Sequence, residues 1–128
     1  MRRVAHAMLR HSPLTSMKRS AVTDSEKCKN LVEVIESPLH GIKILSMNNA
    51  PDNVLSSSML GMILSCIGEV CDPEKGKCRG IVLTSSLPNI FSAGLDLQFL
   101  CTDMSYDSFS SYWKQLQALY VTLNTLPV

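Results

Sequence analysis

The chain has 128 residues, enough for one small domain at most, and its net charge of +1 gives no overall field that would favour nucleic acid or an acidic partner. No uninterrupted apolar run reaches the length of a membrane-spanning helix. The five cysteines are odd in number and lack C-x-x-C spacing, which fits a reducing compartment better than a disulfide framework, and none of the three histidines has a cysteine pair nearby at zinc-ligand spacing.

The first 23 residues differ in composition from the rest of the chain. They are rich in basic residues and in serine, contain no acidic residue before Asp24, and lack the apolar core of a secretory signal. This composition is typical of a mitochondrial transit peptide. The alternative is a disordered basic tail that carries no targeting signal. We expect residues 1–29 to be a disordered or weakly helical leader, residues 30–128 to form the domain, and the mitochondrial matrix to be the location.

Two strands joined by a turn open the predicted domain. Residues 31–36 and 42–47 are short runs rich in β-branched and apolar side chains, and Val32 and Val34 share one face of the first. The Ser-Pro-Leu-His-Gly segment at 37–41 reads as a turn. The two strands therefore predict an antiparallel hairpin.

A helix is predicted to follow the polar loop at residues 48–53. Serines at 56–58 offer an N-cap, and the helical pattern continues to about Val70. The side chains expected to face the core are Met59, Ile63, Ile67 and Val70. The segment Asp72-Pro-Glu-Lys-Gly76 ends this helix and leads to the next strand.

The most informative stretch is residues 80–99, GIVLTSSLPNIFSAGLDLQF. The run from Ile81 to Thr84 is a continuous apolar strand of the kind that is buried on both faces of a sheet. A loop containing Pro88 follows, and Asp96 can cap a helix that starts at Leu97.

The backbone around Gly94 has two interpretations. Gly94 allows a sharp turn and the close approach of another molecule, and the N–H groups near Gly94 and Leu95 would then face outward at a helix start. Such donors can hold a carbonyl oxygen that becomes an oxyanion during a reaction. The other interpretation is an ordinary strand–loop–helix connection with small residues for packing.

Two helices complete the predicted order. A short helix runs from Leu97 to about Cys101, and Ser105 can cap the last helix. Seven side chains of that last helix follow a helical period and are expected in the core: Phe109, Tyr112, Trp113, Leu116, Leu119, Tyr120 and Leu123. The order strand, strand, helix, strand, helix, helix predicts α/β layers.

The segment Phe91-Ser-Ala-Gly-Leu-Asp-Leu97, placed after an Ile-Val-Leu-Thr strand, resembles the first oxyanion-hole segment of the crotonase (enoyl-CoA hydratase/isomerase) superfamily. The resemblance implies that the backbone N–H of Leu95 binds the thioester oxygen of an acyl-CoA. The residues that it implies for the substrate site are Ala93, Gly94, Leu95, Asp96 and Leu97. Pro51-Asp-Asn-Val-Leu55 also matches the Pro-x-Asn-x-Leu pattern of these proteins. The implied fold is α/β, a truncated crotonase-like ββα spiral core.

Within the superfamily, Ala-Gly-Leu-Asp-Leu followed by Gln98, together with Tyr112-Trp-Lys-Gln-Leu-Gln117, resembles the mitochondrial delta3-delta2-enoyl-CoA isomerases most. The implied reaction is the isomerisation of delta3- to trans-delta2-enoyl-CoA in the β-oxidation of unsaturated fatty acids. The resemblance implies no metal or redox cofactor, and CoA enters as part of the substrate. The resemblance also implies a homotrimer for the full-length protein, and neither nucleic acid nor a membrane span.

The chain departs from the family pattern at its end. Relatives continue beyond a position like Val128 to a second Gly-rich turn and a helix that carries the catalytic glutamate, and none of the five glutamates here matches that position. We therefore assign no general base and expect an N-terminal part of the domain that is not active alone. An enoyl-CoA hydratase of the same superfamily and a non-catalytic truncated isoform remain alternatives.

Overall fold

A computed structural model of the protein describes residues 31–102, 105–126 and 128, so the leader predicted at residues 1–29 lies outside the described residues. The described elements follow the predicted order. They are β1 (Val32–Glu36), β2 (Ile42–Met47), α1 (Ser57–Val70), a 3₁₀ turn (Pro73–Lys75), β3 (Gly80–Ser85), α2 (Leu97–Thr102) and α3 (Tyr106–Thr125).

The strands form one mixed sheet in the order β1-β2-β3. β1 and β2 pair antiparallel, as the hairpin prediction requires, with Val34 opposite Leu45. β2 and β3 pair parallel, with Met47 opposite Ser85. Because parallel strands end at the same edge, the loops that follow β2 and β3 leave the sheet side by side.

Helix α1 begins where the sequence predicts. The Ser56 hydroxyl accepts a hydrogen bond from the Met59 N–H at 3.2 Å and so caps the helix. Met59, Ile63 and Ile67 are buried, which confirms the predicted apolar face, and Val70 is half-buried. The helix packs over the sheet, and burying each large apolar side chain of this core stabilises the fold by about 1.5–3 kcal/mol.

Helix α3 packs against α1 through a narrower face than the sequence predicts. Tyr112 and Leu119 are buried, with 1% and 7% of their surfaces exposed. The core prediction is wrong for four of the seven side chains, which are exposed: Phe109, Trp113, Tyr120 and Leu123. Trp113 and Tyr120 each lie one residue after a buried position, which places them about 100° further round the helix. They line an open apolar groove of about 660 Å³ that no described element covers.

Strand β3 is covered on one face only within the described part of the chain. Ile81 and Leu83 pack against the core, whereas Val82, which points to the other face, is 48% exposed. The apolar run is of the kind that is buried on both faces, and within the described residues its second face is left uncovered. β3 lies at the edge of this sheet, and no described helix packs on its second face.

Among the described helices, none combines the length and apolar content needed to cross a membrane. Within the same part of the chain, no group of three or more His, Cys, Asp or Glu side chains is arranged to hold a metal ion.

Candidate functional site

The candidate site forms where the loop after β2 contacts the loop after β3. Leu55 and Leu95 form an isolated parallel bridge. The Leu55 N–H donates to the Gly94 carbonyl oxygen at 2.8 Å, and the Ala93 N–H donates to the Asp52 carbonyl oxygen at 2.8 Å. We call residues 91–97 the site segment. The bonds hold it against the Pro-x-Asn-x-Leu loop, so the structure brings together the two motifs that carry the family resemblance.

Asn53 anchors this junction from within. Its side chain is fully buried, and its backbone has a φ of 52°, a left-handed conformation that asparagine adopts more readily than most residues. The Asn53 Nδ2 donates to the Ser85 Oγ at 2.8 Å and to the Phe91 carbonyl oxygen at 3.1 Å, while Oδ1 accepts from the Asn49 N–H at 2.7 Å. One side chain thus connects the end of β3, the site segment and its own loop.

Ser92 and Gly94 shape the turn of the site segment. The Ser92 hydroxyl donates to the Asn53 carbonyl oxygen at 2.7 Å and accepts from the Gly94 N–H at 3.0 Å. Gly94 has a φ of 85°, which favours glycine. A Cβ atom placed there would meet no described atom within 4 Å, so the space beside Gly94 is open. The turn therefore needs glycine for its backbone conformation and leaves room for an approaching molecule.

Asp96 starts helix α2, as the sequence predicts. Its Oδ1 accepts from the Phe99 N–H at 2.9 Å, the geometry of an N-cap, and Leu97 is the first helical residue. The helix has only six residues. The attraction of a negatively charged group to the start of α2 therefore depends more on individual N–H groups than on the dipole of a long helix.

The N–H groups of the site segment differ in what they bind. Those of Ala93, Gly94, Asp96 and Leu97 donate to the Asp52 carbonyl, the Ser92 hydroxyl, the Tyr112 hydroxyl and the Leu95 carbonyl. The N–H groups of Phe91 and Ser92, at the start of the segment, have no described acceptor. The Leu95 N–H, alone among those of residues 93–97, donates to none of the described residues. It belongs to the same peptide unit as the Gly94 carbonyl, which points at the Leu55 N–H. Because a trans peptide is planar, the Leu95 N–H points away from Leu55.

Tyr112 reaches the site from α3 and was not identified as a site residue from the sequence. Its hydroxyl accepts from the Asp96 N–H at 3.1 Å and donates to the Leu55 carbonyl oxygen at 2.8 Å. Its ring packs at 5.5 Å, centroid to centroid, from the ring of Phe99. The available sequence signal was only general: a tyrosine at a core position needs a partner for its hydroxyl.

None of the described glutamates lies in the site segment or in the loop against it, since Glu33 and Glu36 are in β1, Glu69 is in α1 and Glu74 is in the 3₁₀ turn. Glu33, Glu36, Glu69 and Glu74 are exposed, and Glu36 forms an ion pair with Lys43. Two aspartates are nearer, and each already accepts from a backbone N–H: Asp96 from Phe99 at 2.9 Å and Asp52 from Val54 at 3.3 Å.

Comparison with known proteins gives consistent matches. The model of the family described as enoyl-CoA hydratase/isomerase matches residues 39–128. The mitochondrial enoyl-CoA delta isomerase 1 of Mus musculus is 34% identical over 124 residues, which is 94% of this chain and 41% of that protein. The Homo sapiens protein of the same name is 36% identical over 83 residues, 65% of this chain and 26% of that protein. The chain thus spans less than half the length of these relatives.

Solved structures match in the same way. The crystal structure of human mitochondrial delta3-delta2-enoyl-CoA isomerase superposes with a TM-score of 0.64 at 32% identity, over 72% of this chain and 34% of that one. The enoyl-CoA hydratase of Thermoplasma volcanium, at 19% identity and a TM-score of 0.61, shares the fold over 72% of this chain and 35% of that one. The α/β fold is therefore part of a crotonase fold, and the chain belongs to the enoyl-CoA hydratase/isomerase family, as its residues 80–97 predict.

Proposed function

We propose that this chain supplies one half of an enoyl-CoA isomerase site, in which the Leu95 N–H binds the thioester oxygen of a fatty acyl-CoA. The observation that carries the proposal is the contrast among the N–H groups of the site segment. Within residues 93–97 the other four N–H groups are bound to described acceptors, while the Leu95 N–H is directed away from Leu55 and donates to none of the described residues. The open space beside Gly94 supports the same role. Ala93 to Leu97 would line the substrate site.

The chemistry follows from where charge develops. In the conversion of a delta3- to a trans-delta2-enoyl-CoA, a base removes a proton from the carbon between the thioester and the double bond. The electrons move into a dienolate, which places negative charge on the thioester oxygen. Proton return at the γ carbon then leaves the double bond conjugated with the thioester. A fixed N–H at that oxygen stabilises the dienolate, and loss of one such donor typically costs about 3–4 kcal/mol in the barrier.

The base is the part of the mechanism that the described residues do not supply. Asp96 in the site segment and Asp52 in the loop against it already accept from backbone N–H groups that hold the loops. The described glutamates lie in other parts of the fold. We therefore propose that this chain polarises a bound thioester and that the 128 residues by themselves do not move the proton.

Isomerisation is favoured over hydration by the identity of the relatives. A solved structure at 32% identity is a protein named as an isomerase, whereas the hydratase match at 19% shows the fold alone. Both reactions would use Leu95 in the same way. A non-catalytic role is the third candidate, and the observation that favours it is that, within the described part of the chain, the carboxylates of the two loops already accept from backbone N–H groups.

Location and assembly are part of the same proposal. The basic leader, with no acidic residue before Asp24, and the relatives named as mitochondrial support the mitochondrial matrix, with unsaturated fatty-acid β-oxidation as the process. We propose a homotrimer for the full-length protein, and the exposed apolar surfaces at Val82 and Tyr120 agree with further contacts there.

The proposed role of Leu95 is tested by comparing Leu95→Ala with Leu95→Pro in the 128-residue protein. Alanine keeps the backbone N–H, so acyl-CoA binding should stay within a few-fold of the unmodified protein. Proline removes the N–H, so binding should be lost. Circular dichroism must show that the proline variant is folded. Equal binding by two folded variants would refute the role of the amide.

A turnover assay tests the second half of the proposal. The 128-residue protein is incubated with a β,γ-enoyl-CoA, and the absorbance of the conjugated product is followed. We expect no turnover above that of Leu95→Pro. Turnover by the unmodified chain would show that one of its own carboxylates acts as the base.

A further inference from the structure

We infer that Tyr112 is the positioning residue that fixes the direction of the Leu95 N–H, an inference that rests on the proposed function. The argument concerns the two peptide units that flank the Leu95 Cα atom. The first contains the Gly94 carbonyl and the Leu95 N–H, and the Leu55 N–H holds it at 2.8 Å. The second contains the Leu95 carbonyl and the Asp96 N–H, and the Tyr112 hydroxyl holds it at 3.1 Å.

The Tyr112 hydroxyl occupies a specific place in the bridge between Leu55 and Leu95. In a parallel bridge of this kind, the Leu55 N–H donates to the Gly94 carbonyl oxygen, and the Leu55 carbonyl oxygen accepts from the Asp96 N–H. The hydroxyl accepts from that same Asp96 N–H and donates to that same Leu55 carbonyl, at 2.8 Å. It therefore acts as a spacer of one oxygen atom between the loop after β2 and the site segment.

The spacer is rigid because of where its side chain is anchored. Tyr112 is 1% exposed, and its ring lies against Phe99 of α2. Its helix packs on α1, which begins directly after Ser56, the residue that follows Leu55. The hydroxyl joins the Asp96 N–H and the Leu55 carbonyl, and both groups are thus held by the same core that holds Tyr112. A side chain on α3 sets the position of a backbone group that lies 17 residues earlier in the chain.

Removal of the Tyr112 hydroxyl alone should move the Leu95 N–H and leave the packing of the core unchanged. In Tyr112→Phe the ring remains, but the Asp96 N–H and the Leu55 carbonyl lose their common partner. The site segment then closes towards Leu55 or becomes mobile. In either case the Leu95 N–H leaves the position in which it meets a thioester oxygen, and hydrogen bonds weaken steeply with such changes of distance and angle.

The test reads the hydrogen bond to the thioester directly. The probe is trans-2-butenoyl-CoA labelled with ¹³C at the thioester carbonyl, and its carbonyl stretch is measured by difference infrared spectroscopy at saturating protein. A hydrogen bond to the oxygen lowers this frequency. We expect a lowered frequency in the unmodified protein and loss of at least half of that shift in Tyr112→Phe. Tyr120→Phe is the matched control, because Tyr120 is 70% exposed on the same helix, and it should keep the full shift.

The outcomes separate this inference from the proposed function. If the unmodified protein binds the probe without a frequency shift, the role of Leu95 fails and the inference fails with it. If the shift is present and folded Tyr112→Phe retains it, the proposed function stands and the inference is overturned. If Tyr112→Phe does not fold, 3-fluorotyrosine is placed at position 112 in a Tyr106→Phe/Tyr120→Phe background, which alters the hydroxyl without removing it. An unchanged carbonyl frequency in that protein would then overturn the inference.

Discussion

Asn53 and Ser92 lie 39 positions apart, yet the Ser92 hydroxyl donates to the Asn53 carbonyl oxygen at 2.7 Å, and the Asn53 side chain binds the carbonyl of Phe91 at 3.1 Å. The two residues therefore join the loops that follow β2 and β3 through both backbone and side-chain groups. Asn53 is buried and Ser92 is half-buried, so water cannot fully replace a partner that either residue loses.

The first prediction concerns Asn53. Asn53→Ala should lower the free energy of unfolding by at least about 2 kcal/mol, because each buried backbone group left without a partner costs roughly 1–3 kcal/mol. Asn53→Asp should also destabilise, since it lacks the Nδ2 donor to Ser85 and Phe91. Urea denaturation measures both. Asn48→Ala, at an exposed position of the same loop, is the control. Equal stability of the position 53 and position 48 variants would contradict the anchoring role.

The second prediction compares two glycines whose replacement should have opposite effects. Gly94→Ala should destabilise by about 1 kcal/mol, because alanine is strained at a φ of 85°. Gly61→Ala lies inside α1, where a Cβ meets no described atom within 4 Å, and it should stabilise by up to about 1 kcal/mol, since alanine is the better helix former. Thermal unfolding of the two variants measures the difference. The same sign for both changes would refute the backbone argument.

The third prediction concerns pH and the buried Cys66. Burial, and then the nearby Glu69 carboxylate, raise the pKa of the Cys66 thiol. Unfolded thiols ionise near pH 8.5, so at higher pH the unfolded chain loses a proton that the folded chain still holds. This contribution to stability is therefore complete below about pH 8.5 and is lost as the pH rises through the raised pKa of the folded thiol.

Thermal unfolding between pH 7 and pH 10 measures this effect. Cys66→Ala should have a lower Tm at pH 7, because it leaves a cavity, but its Tm should fall less steeply above pH 8.5. Cys101→Ala, at an exposed cysteine, should keep the slope of the unmodified protein. Parallel slopes for the unmodified protein and Cys66→Ala would show that ionisation of Cys66 does not affect stability in this range.

The fourth prediction concerns the leader. Residues 1–30 fused to a fluorescent reporter should direct it to mitochondria, because the segment is basic and has a single acidic pair, Asp24 and Glu26, near its end. A matched fusion in which the five basic residues before Thr23 are replaced by glutamine should stay in the cytosol. A diffuse signal from the unmodified fusion would refute the assignment.

The sequence predicted the elements well where the determining signal is local. Strand β2, the serine cap of α1 and the aspartate cap of α2 each depend on side chains within a few residues of one another, and each was confirmed. The positions of the loops were also predictable, because the family resemblance at residues 80–97 implies the fold of that family.

The sequence was less informative where a contact joins distant residues. The hydroxyl of Tyr112 bonds to Leu55, 57 positions away, and no local pattern contains that pairing. Periodicity also overestimated the buried face of α3, because it shows which side chains are apolar and not how wide a face the neighbouring helix covers. Asn53 was recognised as part of a motif, but its anchoring role depends on three segments that meet only in the folded chain.

Trp113 is the chain's one tryptophan, and it lies 43% exposed beside Phe109, with the two rings stacked at 6.0 Å. Its intrinsic fluorescence therefore reports on the exposed flank of α3 alone. Any molecule or chain that covers this flank should shift the emission to the blue, because the indole leaves water. The protein thus carries an intrinsic fluorescent probe of the apolar groove beside Trp113 and Tyr120, one that needs no label and leaves Leu95 unchanged.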